Sequence, residues 1–217
     1  NQKTPKIFYA TTSVQTYTPD LVLDEATHNI KMGGSTFYDL TIDDATTSAA
    51  FIDTAVTVSR NFVVVNGDVT LPTTRLTVGG SFTNTGYFQH NNAEVRFTSN
   101  SPASITLNGT EFYNSFYNVT FSGNGTFTFL DTNATTTNDM SITKGTVVFP
   151  SGKLTIGGHL SVTGTGIFNA NNGTVEFISE DNESITTRGS SFNNVVFGVN
   201  EGGDGWYSAD WSDRAAI

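Results

Sequence analysis

The chain has no cysteine at all. Disulfides, thiolate metal sites and cysteine nucleophiles are therefore excluded, while export to an oxidising compartment stays open. Charge is also scarce, at 14% of residues, and the ten basic side chains are scattered from Lys3 to Arg214 against a formal net charge of −10. Nucleic acid is thereby excluded as a partner, because phosphate binding needs clustered Lys and Arg. No run approaches the roughly 18 apolar residues of a membrane-spanning helix, and no secretory leader is recognisable. Direct membrane insertion is not expected, and any signal or anchor would have to lie outside these 217 residues.

What the chain does have is Thr, Ser, Asn and Gly, a mixture suited to exposed strand faces and tight turns and poor for helix. It also repeats itself. Residues 61–80 (NFVVVNGDVTLPTTRLTVGG) align without a gap to 139–158 (DMSITKGTVVFPSGKLTIGG), an offset of 78. Residues 37–42 (FYDLTI), 116–121 (FYNVTF) and 192–197 (FNNVVF) are three copies of one strand, and 91–97 (NNAEVRF) matches 171–177 (NNGTVEF). In a repeat, residues that recur belong to the scaffold, and a single active site must depart from the pattern. The copies divide the chain into 1–36 as the end of a preceding repeat, 37–115 and 116–191 as two repeats, and 192–217 as the start of a following one.

A shorter period lies within the long one. Residues 140–148 (MSITKGTVV) align to 160–168 (LSVTGTGIF) at an offset of 20, and apolar centres recur about every seven residues, bounded by Gly, Asn or Pro. Alternation inside each short segment is the strand signature. Three strands per turn of about 20 residues predict an all-β, right-handed parallel β-solenoid, the hand following the rule for parallel crossovers. The stacking expected is Met140 on Leu160, Val147 on Ile167 and Leu154 on Val175. The phase breaks around 111–114 and again between Val175 and Ile185. The alternative is a tandem array of β-sandwich domains of about 78 residues. Gly79–Gly80 and Gly157–Gly158, shared by the copies, are expected to place at least one glycine of each pair at positive φ.

Blocks such as FYNVTF, LTIGG and NNGTVEF resemble the tandem β-strand repeats of very large bacterial cell-surface proteins, and more loosely the coils of filamentous-haemagglutinin-type adhesins. The resemblance implies export, an extracellular or cell-surface location, and a structural or adhesive role. It brings no catalytic residues.

Candidate sites follow from chemistry. Asp131 with Asn133, and the cluster Glu180, Asp181 and Glu183, offer hard oxygen ligands on turns, which makes calcium the one cofactor to weigh. The plainer reading is solvated acidic turns, and Asp131 recurs as Asp53, which suits a carboxylate that accepts backbone amides at a strand end. The chain is not expected to be an enzyme: Asp43–Asp44, which becomes Ser122–Gly123 in the next copy, departs from the repeat as a site would, yet no His or basic residue sits near it in sequence to complete an acid/base pair. His28, His90 and His159 fall at unrelated repeat positions. Six Asn-x-Ser/Thr sequons are what this composition gives by chance. Trp206, Tyr207 and Trp211 gather both tryptophans of the chain into one stretch. They are candidates for stacking on sugars or for an inter-subunit contact, and equally for core positions like those of Phe127 and Phe129. The function expected is a stiff spacer, or a subunit of a surface layer or filament, joined head to tail to itself or to adjacent repeats. The alternative is a carbohydrate-binding module on the same scaffold, and a polysaccharide lyase or hydrolase ranks below both.

Overall fold

In the computed structural model, residues 8–9, 27–109, 114–179 and 184–198 are described. They form a β-solenoid of about eight turns, with parallel strands throughout and no helix among the described residues. The sandwich alternative is thereby set aside, since every strand pairing is parallel and joins one coil to the next.

Each coil has three faces. The first is an eight-stranded sheet running from Thr36–Phe37 through Ala55–Val58, Arg75–Val78, Glu94–Phe97, Asn118–Phe121, Met140–Ile142 and Leu160–Val162 to Ile185–Thr186. The second is carried by a ten-stranded sheet, whose later rungs are Phe82–Asn84, Ala103–Thr106, Thr126–Phe129, Thr146–Val148 and Ile167–Asn169. Two long strands of that sheet serve two faces at once. In Leu40–Phe51 and Phe62–Thr70, residues 40–42 pair with 62–64 on the second face, and 48–50 pair with 68–70 on the third. Tyr87–Gln89 adds the next rung of the third face. After Tyr87–Gln89 that face continues with the bridge between Phe116 and Thr136 and the strands Asn133–Thr136, Lys153–Ile156, Thr174–Phe177 and Asn194–Phe197.

Alternation fixes which side chains enter the core. Val56, Leu76, Val95, Val119, Met140 and Leu160 form one buried column, in register from coil to coil. Phenylalanines dominate the centre: Phe97 stacks on Phe121 with centroids 5.3 Å apart, and Phe149 stacks on Phe168 at 4.7 Å. Each such side chain contributes about 1.5–3 kcal/mol when buried, so the core is an axial column shared by all coils.

Two of the three expected stackings hold: Met140 pairs with Leu160 and Leu154 with Val175. The third is off by one. Val147 pairs with Phe168, and Ile167 sits over Thr146 and is 48% exposed. The turn at 163–166 has one residue more than its counterpart at 143–145, so the local offset is 21 and the larger side chain is the one that turns inward. The phase breaks also have a physical form. Val95 and Val119, then Leu160 and Ile185, are stacked partners separated by 24 and 25 residues, and the surplus lies between strands.

The shared glycines correct a second expectation. None of Gly79, Gly80, Gly157 and Gly158 has positive φ. Their role is close approach: a Cβ on Gly79 would stand 2.0 Å from the Ser59 carbonyl oxygen, and one on Gly157 2.1 Å from that of Thr137.

The 78-residue repeat is not a whole number of coils. LTVGG begins on the first face, in Arg75–Val78, whereas LTIGG begins on the third, in Lys153–Ile156. The three copies of the FYNVTF strand occupy three different faces, with 40–42 on the second, Asn118–Phe121 on the first and Asn194–Phe197 on the third.

Candidate functional site

Corners between faces are held by polar side chains that bond the next coil. Asn118 Oδ1 accepts from the Asp139 amide, Asp139 Oδ1 from His159, and His159 Nδ1 from Ser184. Asp39 Oδ1 accepts from the Asn61 amide, and Asn61 Oδ1 from Ser81. Backbone amides leaving a strand need acceptors, and Asp, Asn and His supply them here. His159 therefore serves the scaffold. His28 is buried in the core, opposite Ala49, while the His90 ring lies 5.4 Å from that of Tyr117. The three histidines are not brought together. Burial lowers the His90 pKa, and its Nδ1 accepts from the Asn92 amide.

Asp131 belongs to the same class of corner acceptor. Its two carboxylate oxygens accept from the amides of Leu107, at 2.7 Å, and Asn108, at 2.9 Å. Its repeat partner Asp53 does the same for Met32 and Gly33. Among the described residues, no three His, Asp or Glu side chains are grouped to hold a metal ion. Glu180, Asp181 and Glu183 lie outside the described residues, as do Trp206, Tyr207 and Trp211.

Ion pairs mark the outer faces, among them Arg60 with Asp39 at 3.8 Å. Glu94 on the first face bonds both Arg75 and Arg96, the latter at 2.9 Å, and Lys153 meets Glu176 at 2.8 Å on the third. Burial works to raise the Glu94 pKa, but hydrogen bonds from Thr120, Arg75 and Arg96 and the Arg96 charge outweigh it and hold the carboxyl below its usual range.

Two further surfaces were not singled out by sequence. One is the last described rung. Val195 and Phe197 continue the inward columns of Val175 and Phe177, yet they are 38% and 63% exposed. Phe197 is stacked on Phe177 on one side, with centroids 5.7 Å apart. The other is a groove of about 320 Å³ on the third face, lined by Asp68, Val69, Tyr87 and Gln89. Beside it the Phe88 amide donates to Asn114 Oδ1 at 2.7 Å, and buried Asn114, at φ 58°, also donates to the carbonyls of Gly86 and Asn108. A signal for the groove exists in the repeat: Tyr87 stands where the next copy has Ile167, an outward position that changes from aliphatic to aromatic.

Comparison of the chain with protein-family models, with curated proteins and with solved structures returns no match.

Proposed function

We propose that the chain is a length of extracellular shaft, a non-enzymatic spacer or a subunit of a surface layer or filament, whose coils join end to end with a second copy or with neighbouring repeats. The observation that carries this reading is the apolar rung at Asn194–Phe197, where core-column side chains stand exposed. The equivalent strand Asn118–Phe121 is covered on both sides, by Glu94–Phe97 and Met140–Ile142. Among the described residues nothing pairs with the outer edge of Asn194–Phe197, so a coil of the same design is the shape that fits it, and such an edge favours strand addition. A head-to-tail contact of this kind does not close on itself, so it leads to filaments.

Support for the absence of catalysis is chemical. Asp39, Asp53, Asp131 and Asp139 are engaged by backbone amides, which leaves them poor candidates for moving protons. The extracellular location rests on the resemblance to cell-surface repeats, with which a composition without cysteine is compatible. Light scattering over a range of concentrations tests the assembly. The wild-type chain is expected to gain mass with concentration and Phe197→Asp to stay monomeric. A wild-type chain that is monomeric throughout sinks the reading.

A further inference from the structure

We propose that the second face is a lateral contact surface for a second copy of the chain, with the two shafts parallel and face to face. Six successive rungs of that face, from 62–64 to Ile167–Asn169, turn no charged side chain outward. Val63, Thr83 and Thr106 form one outward ladder in register, and Ser104, Thr128, Val148 and Asn169 form another. Leu130 and Ile167 add exposed apolar side chains at the two edges. The other faces differ, since Arg75, Glu94 and Arg96 stand on the first and Lys153 and Glu176 on the third. In a chain of net charge −10, repulsion between copies is least where charge is absent. From Thr126–Phe129 to Ile167–Asn169 the corners on both sides of the face belong to the described residues.

Spacing selects the occupant. The ladders repeat at about 4.8 Å, whereas a helix repeats at about 5.4 Å and falls out of step. A second copy repeats at the same interval, so ridges of Thr, Val and Ile side chains interlock rung by rung, as between sheets of identical strands. Charge selects the orientation. Among the described residues, Asp39, Arg60 and Lys144 lie at the corner that enters this face, and Asp43 and Asp131 at the corner that leaves it. A two-fold axis parallel to the shaft sets each basic corner against the partner's acidic one, whereas antiparallel shafts would set like corners together. The parallel pair also brings a central residue such as Thr128 opposite its own copy. Six rungs, three to four residues wide, cover roughly 300 Å² on each copy, about half of what a stable interface needs once both copies are counted. Contact between single copies is therefore transient, and it becomes lasting where copies are joined in line, a consequence that rests on the end-to-end reading.

The absence of native cysteine makes a transient contact trappable. Thr128→Cys and, on the first face, Ser141→Cys are each placed in the full chain carrying Phe197→Asp, so that end-to-end joining does not enter the result. Disulfide-linked dimer formed in oxidised glutathione is followed on non-reducing gels. Each rate is divided by the rate at which the same thiol reacts with a small aromatic disulfide. The expected outcome is dimer at least about tenfold faster with Thr128→Cys than with Ser141→Cys. Adding Val148→Lys, in register beside Thr128, should remove that advantage by setting two ammonium groups face to face. Thermal midpoints should match across the set, because these side chains are turned outward. Should Val148→Lys lower the midpoint, Leu130→Lys decides. Equal normalised rates at the two cysteines, or an advantage that survives the added lysine, would overturn the proposal. Either result leaves the light-scattering test of end-to-end joining standing on its own.

Discussion

Gly79 and Gly157 stand where the backbone of one coil passes closest to that of the coil before it. Their neighbours are carbonyl groups of Ser59 and Thr137, which cannot swing aside as a long side chain could. Overpacking of this kind typically costs about 1–3 kcal/mol. Gly79→Ala and Gly157→Ala are each expected to destabilise by at least that amount in chemical denaturation. A loss within the usual surface range of about 0.5 kcal/mol would mean that the coils can separate freely at this corner. Glu94 gives a second prediction at the same scale. Its folded carboxyl titrates below the unfolded one, so the unfolded chain takes up the proton first as pH falls. The stability that it contributes is present above the ordinary carboxylate range and is lost as pH drops through the folded value. Melting curves from pH 7 to pH 3 should show wild type and Glu94→Gln converging towards acid. Parallel curves would mean that the Arg75 and Arg96 contacts add nothing to stability.

At the scale of the element, much of the strand pattern was legible because apolar alternation and turn residues agree in nearly every segment. Ala93, Val95 and Phe97 inward with Glu94 and Arg96 outward is the plainest case. Asp131 was legible for a related reason: recurrence as Asp53 marked it as a scaffold group before any geometry was known. What sequence left obscure was the phase of short turns. One additional residue in 163–166 moved Phe168 inward and Ile167 outward, and two adjacent apolar residues gave alternation nothing to choose between. Mutational cost should follow the observed register. Phe168→Ala is expected to cost about 3–5 kcal/mol and Ile167→Thr no more than about 0.5 kcal/mol, compared by urea denaturation. Equal costs would restore the offset of 20. The groove was hidden for another reason, since Asp68 and Tyr87 become neighbours only once the third face is built.

Taken whole, the molecule is a shaft in which any face can receive any strand. Phe8–Tyr9 and Asn194–Phe197 stand at its two described ends, and the buried core from Ile30 to Phe177 is one cluster. No face owns a private sequence, because LTVGG and LTIGG serve different ones. The unit that folding recognises is therefore the single strand with its corner, and the long repeat is a record laid over it. This also explains how spacings of 24 and 25 residues are tolerated: Val119 still stacks on Val95 and Ile185 on Leu160, and extra chain between stacked partners adds little closure cost.

The mismatch between repeat and coil works like a gear with eleven teeth driving a wheel with three. From 62–64 to Met140–Ile142, one repeat advances eleven strand positions, counting the bridge at Phe116, and each coil uses three. In any array of such repeats, a feature carried once per copy shifts by one face each time and returns to its starting face only after three copies, or eleven coils. With rungs about 4.8 Å apart, that return takes about 53 Å. A patch such as the one beside Tyr87, if every copy bore it, would climb the shaft as a spiral stair with three treads to the flight. Neighbouring treads would face away from one another, so a flat surface could engage only every third.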